Sequence, residues 1–293
     1  MSRGRSILEN SLQPKDIEFA LPGLRLAAVE WGEPGGKPVI ALHGWLDNAA
    51  SFDLLAPLIS GHRVIAIDAA GHGLSASRSP DAAYNIWQDV ADIVGIADRL
   101  GCEAFALIGH SRGAAVATLT AGSFPHRVTH LVLLEGGVPM IADPAQAPEM
   151  LARSIVDTEK LRHRSGRVFA TREQAIEERC RGFTSVTKDA AEVLARRALR
   201  EVEGGFQWHV DQRLKAPSQL RLSREQAQSF IAAVTAPVLA FFAERSPFAN
   251  RPEYRELVAG FAKIEVVELA GGHHCHLEGA AELIAARALE FLT

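Results

Sequence analysis

Hydrophobic and polar positions alternate along this chain in a two-part rhythm. Short apolar runs recur at residues 39–42, 64–67, 104–108, 131–134, 238–242 and 264–269, the last interrupted by Glu265 and Glu268. Between most of them lie helix-length segments such as 85–100, and the chain closes with another at 280–292. Apolar runs without internal alternation are strands buried on both faces, which requires a parallel sheet covered by helices. The pattern therefore predicts an α/β protein with a doubly wound, mostly parallel sheet. Ahead of these runs, residues 17–21 and 24–31 flank Pro22-Gly23, a turn pair that predicts an antiparallel hairpin at one sheet edge.

The rhythm breaks once. Residues 138–235 separate the sixth and seventh core strands, too long a stretch for a structureless loop, so it should carry helices of its own. Thr171 with Gln174 and Ser223 with Gln226 have capping-box spacing. Ala191, Leu194, Ala195, Ala198, Leu199 and Val202 form a stripe at helical period, with Arg196, Arg197 and Arg200 opposite as a solvated face. The prediction is a core of residues 1–137 and 236–293 with a helical cap at 138–235. The inner face of that cap would set which substrates fit.

Composition narrows the partners. With 293 residues and 47% apolar content, the chain can bury one large core plus an insertion. A net charge of −4 gives no general attraction to nucleic acid or anionic membrane, which leaves a small molecule as the expected partner. Cys102, Cys180 and Cys275 cannot build a disulfide framework and lack metal-type spacing. Residues 1–12 are polar and broken by charges, and no apolar run reaches the ~20 residues of a membrane span. A cytoplasmic location is expected.

Gly109-His110-Ser111-Arg112-Gly113 follows an apolar run and opens the small-residue segment 114–122. A serine between flanking glycines on a strand-to-helix turn is held in a strained backbone and exposed at the strand's end, where helix N–H groups can meet a developing oxyanion. A serine hydroxyl needs a base and a group to orient that base. His273, after Ala270-Gly271-Gly272 and before the last helix, is the expected base, with His274 and His276 as rivals. A His-His-x-His cluster could bind metal, but no carboxylate stands at ligand-like spacing, so no metal is expected.

The acid is the open member. The run ending Phe241-Phe242-Ala243-Glu244-Arg245-Ser246 has no aspartate, whereas Leu134-Glu135-Gly136-Gly137 puts a carboxylate at an earlier strand end. Glu135 is the expected acid and Glu244 the alternative. Backbone N–H groups of Trp45 and Arg112 would form the oxyanion hole, and the Trp45 and His110 side chains would contact substrate. His43, Asp68 and His72 read as loop braces, and the cysteines as core or incidental residues.

In this order, His43-Gly44-Trp45, the Asp-x-x-Gly-His-Gly-x-Ser at residues 68–75, Gly109-His110-Ser111 and the late Gly272-His273 with His276-Leu277-Glu278 resemble the α/β-hydrolase superfamily. Residues 43–49 with Ser51-Phe52 resemble its serine hydrolase-like subgroup. The resemblance implies a cofactor-free Ser-His-acid hydrolase with a helical cap, and some relatives carry the acid where Glu135 stands. The expected reaction is hydrolysis of a small carboxylic ester through an acyl-enzyme. A C–C bond hydrolase, thioesterase or acyltransferase would use the same triad, and a non-catalytic ligand-binding protein would keep only the fold.

Overall fold

The computed structural model describes residues 13–182, 185–247 and 251–293, so the reading of residues 1–12 lies outside the described residues. The chain opens with β1 (Lys15–Leu21) and β2 (Leu24–Trp31), the hairpin about Pro22-Gly23, and continues through β3 (Lys37–Leu42) and β4 (His62–Ile67). Helix α1 (Ile86–Arg99), β5 (Phe105–His110), α2 (Arg112–Ser123) and β6 (Val128–Leu134) follow. Asn85 opens α1 with a full capping box: its side chain takes the N3 backbone N–H while Gln88 reaches back to the cap N–H.

Residues 138–235 hold helices α3 (Ala147–Arg162), α4 (Arg172–Cys180) and α5 (Lys188–Ala198). They also hold the short strands β7 (Val168–Phe169), β8 (Leu199–Val202) and β9 (Gly205–Trp208), then helix α6 (Arg224–Ala233). The core resumes with β10 (Val238–Ala243), α7 (Pro252–Val258), β11 (Ile264–Leu269) and α8 (Ala281–Leu292).

The eight-stranded sheet runs β1-β2-β4-β3-β5-β6-β10-β11. Strand β2 is antiparallel to both neighbours, and every pair from β4 to β11 is parallel. Two apolar layers sandwich it. One gathers Ile40, Leu107, Leu131 and Leu133 with α1 and α2; the other gathers Ile108, Val132, Phe241 and Ile284 of α8. Alternate residues of one strand thus enter opposite layers, which is why the central runs are continuously apolar; each fully buried Leu, Ile or Phe contributes about 2 kcal/mol. The edge strand β11 departs from this, exposing Glu265 and Val266.

Within the insertion the helical stripe does not run to Val202. Helix α5 stops at Ala198, and Leu199–Val202 pairs antiparallel with Gly205–Trp208. Gly204 and Gly205 both have positive φ and make a tight reversal, so hairpin pairing overrides helical periodicity. The small sheet β7-β9-β8 was invisible to that periodicity. Helices α4 and α5 pack Ile176, Ala191, Leu194 and Ala195 over Ala50 and Leu277 of the core. Helix α6 lies against α2, with Leu222 and Ala227 around Leu119.

Arg197 corrects the solvated-face reading. Its side chain is only 9% exposed and its Nε donates to Asp68 Oδ2 at 2.8 Å, while Nη1 donates to Asp16. Asp68, fully buried, also accepts the backbone N–H groups of Ala49 and Leu74. Arg196 and Arg200 are exposed as expected. Arg197→Ala would leave Asp68 buried without its cation, and urea denaturation should show about 3 kcal/mol of lost stability. A loss below about 0.5 kcal/mol would mean that the two N–H donors suffice.

Candidate active site

Among the described residues three non-glycine residues have positive φ, namely Leu46, Ser111 and Glu135. Such backbone costs of order 1–3 kcal/mol each and persists only where the surroundings impose it. Here all three sit where chain leaves a parallel strand at its C-terminal end, after β3, β5 and β6. Ser111 (φ 52°, ψ −113°) joins β5 to α2, and its N–H donates to Leu134 O at 2.9 Å. A Cβ at Gly109 would lie 2.5 Å from Ala114 Cα, and one at Gly113 would lie 2.1 Å from Leu42 O. The motif's glycines are thus required by close approach of helix to strands. Gly113→Ala should cost about 3 kcal/mol by overpacking, read as a lower melting temperature; an unchanged melting temperature would show that α2 can shift freely.

His273 arrives from the loop after β11 and lies between the other two side chains. Ser111 Oγ is 2.9 Å from His273 Nε2, and His273 Nδ1 is 3.2 Å from Glu135 Oε2. Glu135 is fully buried. Its second carboxylate oxygen accepts the backbone N–H of Ala243, and its own N–H donates to Phe241 O, so β10 holds both ends of the residue. Glu244, by contrast, is exposed, one residue beyond the Ala243 N–H that binds Glu135.

Arg112 is the first residue of α2, so its N–H belongs to the orphan donors of a helix start, and the helix dipole adds positive potential there. Its guanidinium pairs with Asp89 of α1. Trp45 sits one residue before the strained Leu46, and its indole N–H donates to Leu214 O at 2.9 Å. His72 and His43 brace this region. His72 Nε2 accepts Leu46 N–H, and His43 Nε2 accepts Ala69 N–H. Burial lowers the pKa of both imidazoles, consistent with neutral rings accepting N–H groups.

Ser111, Arg112 and Trp45 line a cavity of about 650 Å³ bounded by residues before α1, after β6 and in the 213–222 segment. His110 does not line it. Its ring is completely buried among His273, His274 and His276, with Nε2–H donating to His273 O at 2.8 Å. Burial pushes its pKa down to about 3. On an inward-facing strand position beside Ser111, it holds the backbone of His273 instead of meeting the cavity.

His274 and His276 turn away from Ser111. His276 Nε2 is 2.9 Å from Ser51 Oγ, and His274 Nε2 is 3.2 Å from Asp47 Oδ2. Asp47 brings to this cluster a carboxylate that linear spacing did not reveal: one ligand atom each from Asp47, His110 and His274 lies within 4.8 Å of the others. Arg179 of α4 donates to Asp47 at 2.7 Å and approaches His274 Nε2 at 3.5 Å, placing a fixed positive charge where a cation would sit. Against burial, which would raise it, His274, His110 and Arg179 hold Asp47 well below the usual carboxylate range. Burial pushes the Cys275 thiol up to about 12, away from thiolate chemistry.

Residues 37–280 match the α/β hydrolase fold family. The chain belongs to that family. Within it the chain falls in the serine hydrolase-like subgroup. It is 30% identical to the serine hydrolase-like protein of Danio rerio, with 89% of this chain and 83% of that protein covered. It is also 30% identical to human serine hydrolase-like protein 2, with 89% of each covered. A crystal structure of a hypothetical protein from Pseudomonas aeruginosa PAO1 shares 42% identity over 95% of this chain and 99% of that chain, with a TM-score of 0.91. A thioesterase domain from the curacin biosynthetic pathway, at 23% identity and a TM-score of 0.83, shows the same fold. This α/β hydrolase is therefore a serine hydrolase by family. Among its described residues no helix is long and apolar enough to cross a membrane.

Proposed function

We propose that this hydrolase cleaves a small carboxylic ester, with Ser111 as nucleophile, His273 as general base and then acid, and Glu135 as the orienting carboxylate. The observation that carries the reading is the unbroken chain of contacts from Ser111 Oγ through both nitrogens of His273 to Glu135. His273 takes the hydroxyl proton at Nε2 as Ser111 attacks the carbonyl, and Glu135 stabilises the imidazolium through Nδ1–H. The N–H groups of Arg112 and Trp45 receive the oxyanion. His273 then protonates the departing alcohol, and water attacks the acyl-enzyme with the same imidazole as base. Residues 138–235 act as the cap over this centre, and Trp45 contributes a wall of the substrate cavity.

A fluorophosphonate probe together with p-nitrophenyl esters of two to twelve acyl carbons tests this, with Ser111→Ala as control. The proposal expects stoichiometric labelling and ester turnover in the native chain and neither in the variant. Labelling that persists in Ser111→Ala, or folded native protein that does not label, would overturn it.

A further inference from the structure

The cavity beside Ser111 is asymmetric in charge. Its inner wall is built from buried apolar side chains, among them Ala115, Val138, Leu222 and Leu257. Its solvent end carries the exposed Lys215, Arg221 and Arg251. Two further cations line the cavity but are already neutralised: Arg112 pairs with Asp89, and Arg213 pairs with Asp211 while donating to the carbonyls of Arg78 and Ser79. Among the described residues Lys215 donates to the neutral side-chain oxygen of Gln212 and forms no ion pair with its acidic neighbour Glu178, which pairs with Arg167, while Arg221 and Arg251 have no carboxylate partner. Among the described residues Glu253 is the single acidic residue of the lining.

This local excess runs against the chain as a whole, which carries 35 acidic and 31 basic side chains. A general surplus of surface cations therefore does not account for it. Like charges around one opening repel each other, and low-dielectric walls focus their field into the cavity. An anion entering there relieves the repulsion, while an apolar group gains by burial at the inner end. We propose that the substrate is an amphiphile: an apolar group on one side of the scissile carbonyl and a carboxylate or phosphate on the other, received by Lys215, Arg221 and Arg251. This rests on the hydrolytic reading above for the position of the cleaved bond, but the anion preference itself is a matter of binding.

The test is therefore equilibrium binding to the Ser111→Ala variant by calorimetry, with two matched pairs of probes. O-octanoylglycolate against its methyl ester isolates a carboxylate; S-octanoyl phosphopantetheine against S-octanoyl pantetheine isolates a phosphate. At low salt the charged member of one pair should bind at least tenfold more tightly than its neutral partner, and the pair that shows this identifies the anion. The gap should narrow in high salt as the rim charges are screened. In a Lys215→Gln, Arg221→Gln, Arg251→Gln triple variant, checked for folding by circular dichroism, it should fall below about twofold. Equal binding within both pairs, no binding of either charged probe at millimolar concentration, or a gap that survives the triple substitution would overturn the proposal. Failure of fluorophosphonate labelling in the native protein would instead strike the hydrolytic reading, so the two failures are separable.

Discussion

Ser111→Ala and His273→Ala should each lower kcat for ester hydrolysis by roughly 10⁴–10⁶-fold, and the double variant should be hardly worse than either alone. The non-additivity follows from geometry. Ser111 Oγ is 2.9 Å from His273 Nε2, so the base has nothing to deprotonate without the serine, and the serine has no proton acceptor without the histidine. What should survive in each variant is the contribution of the proposed oxyanion donors and of substrate binding, which neither substitution touches. Steady-state kinetics on the three variants decide the matter. Multiplicative losses, with the double variant near the product of the singles, would show that the two groups act in separate steps.

Glu135→Gln should lower kcat by on the order of 10³–10⁴-fold while the protein stays folded. The amide is nearly the same size as the carboxylate and keeps an oxygen to accept the Ala243 N–H, so no buried donor is orphaned. The remaining amide nitrogen would then face His273 Nδ1 as a donor. Neutral imidazole would accept there and carry its proton on Nε2, the wrong nitrogen to receive the Ser111 proton. The substitution thus inverts the tautomer without moving the ring. Glu244→Gln alters an exposed side chain and should change kcat less than about twofold. Comparing both variants for kcat and for urea stability separates the roles. If Glu244→Gln were the more damaging, the orienting acid would belong to the end of β10 and not of β6.

Strand positions, the hairpin and the Ser111 turn were all legible in the chain, because each depends on local chemistry: an unbroken apolar run, a Pro-Gly pair, or glycines admitting a close approach. Strand β10, for example, occupies Val238–Ala243 against a predicted 238–242. Within the insertion the helix starts at Thr171 and Ser223 were legible, and the small sheet was not. Its β8–β9 hairpin looked like the end of a helix, since Leu199 and Val202 fall on the same period as Ala195 and Ala198. Periodicity reports which face is apolar, not whether a Gly-Gly reversal will let the backbone pair with itself.

By itself, the sequence determined a mostly parallel α/β sheet, a strained serine at the end of its fifth strand, and a histidine loop returning to the same sheet edge. Only the tertiary structure decided which carboxylate meets that histidine: Glu135 and Glu244 both follow strand ends, yet Glu135 alone is buried, with a ladder N–H fixing one of its oxygens. It likewise turned His110 away from the cavity, brought Asp47 beneath His274 and Arg179, and drew Arg197 down onto Asp68. The reason is one of range. Partners such as Arg197 and Asp68 lie on different elements far apart in the chain, so their meeting is set by how sheet, helices and insertion pack, and the cost of an unpaired buried charge then selects the pairing.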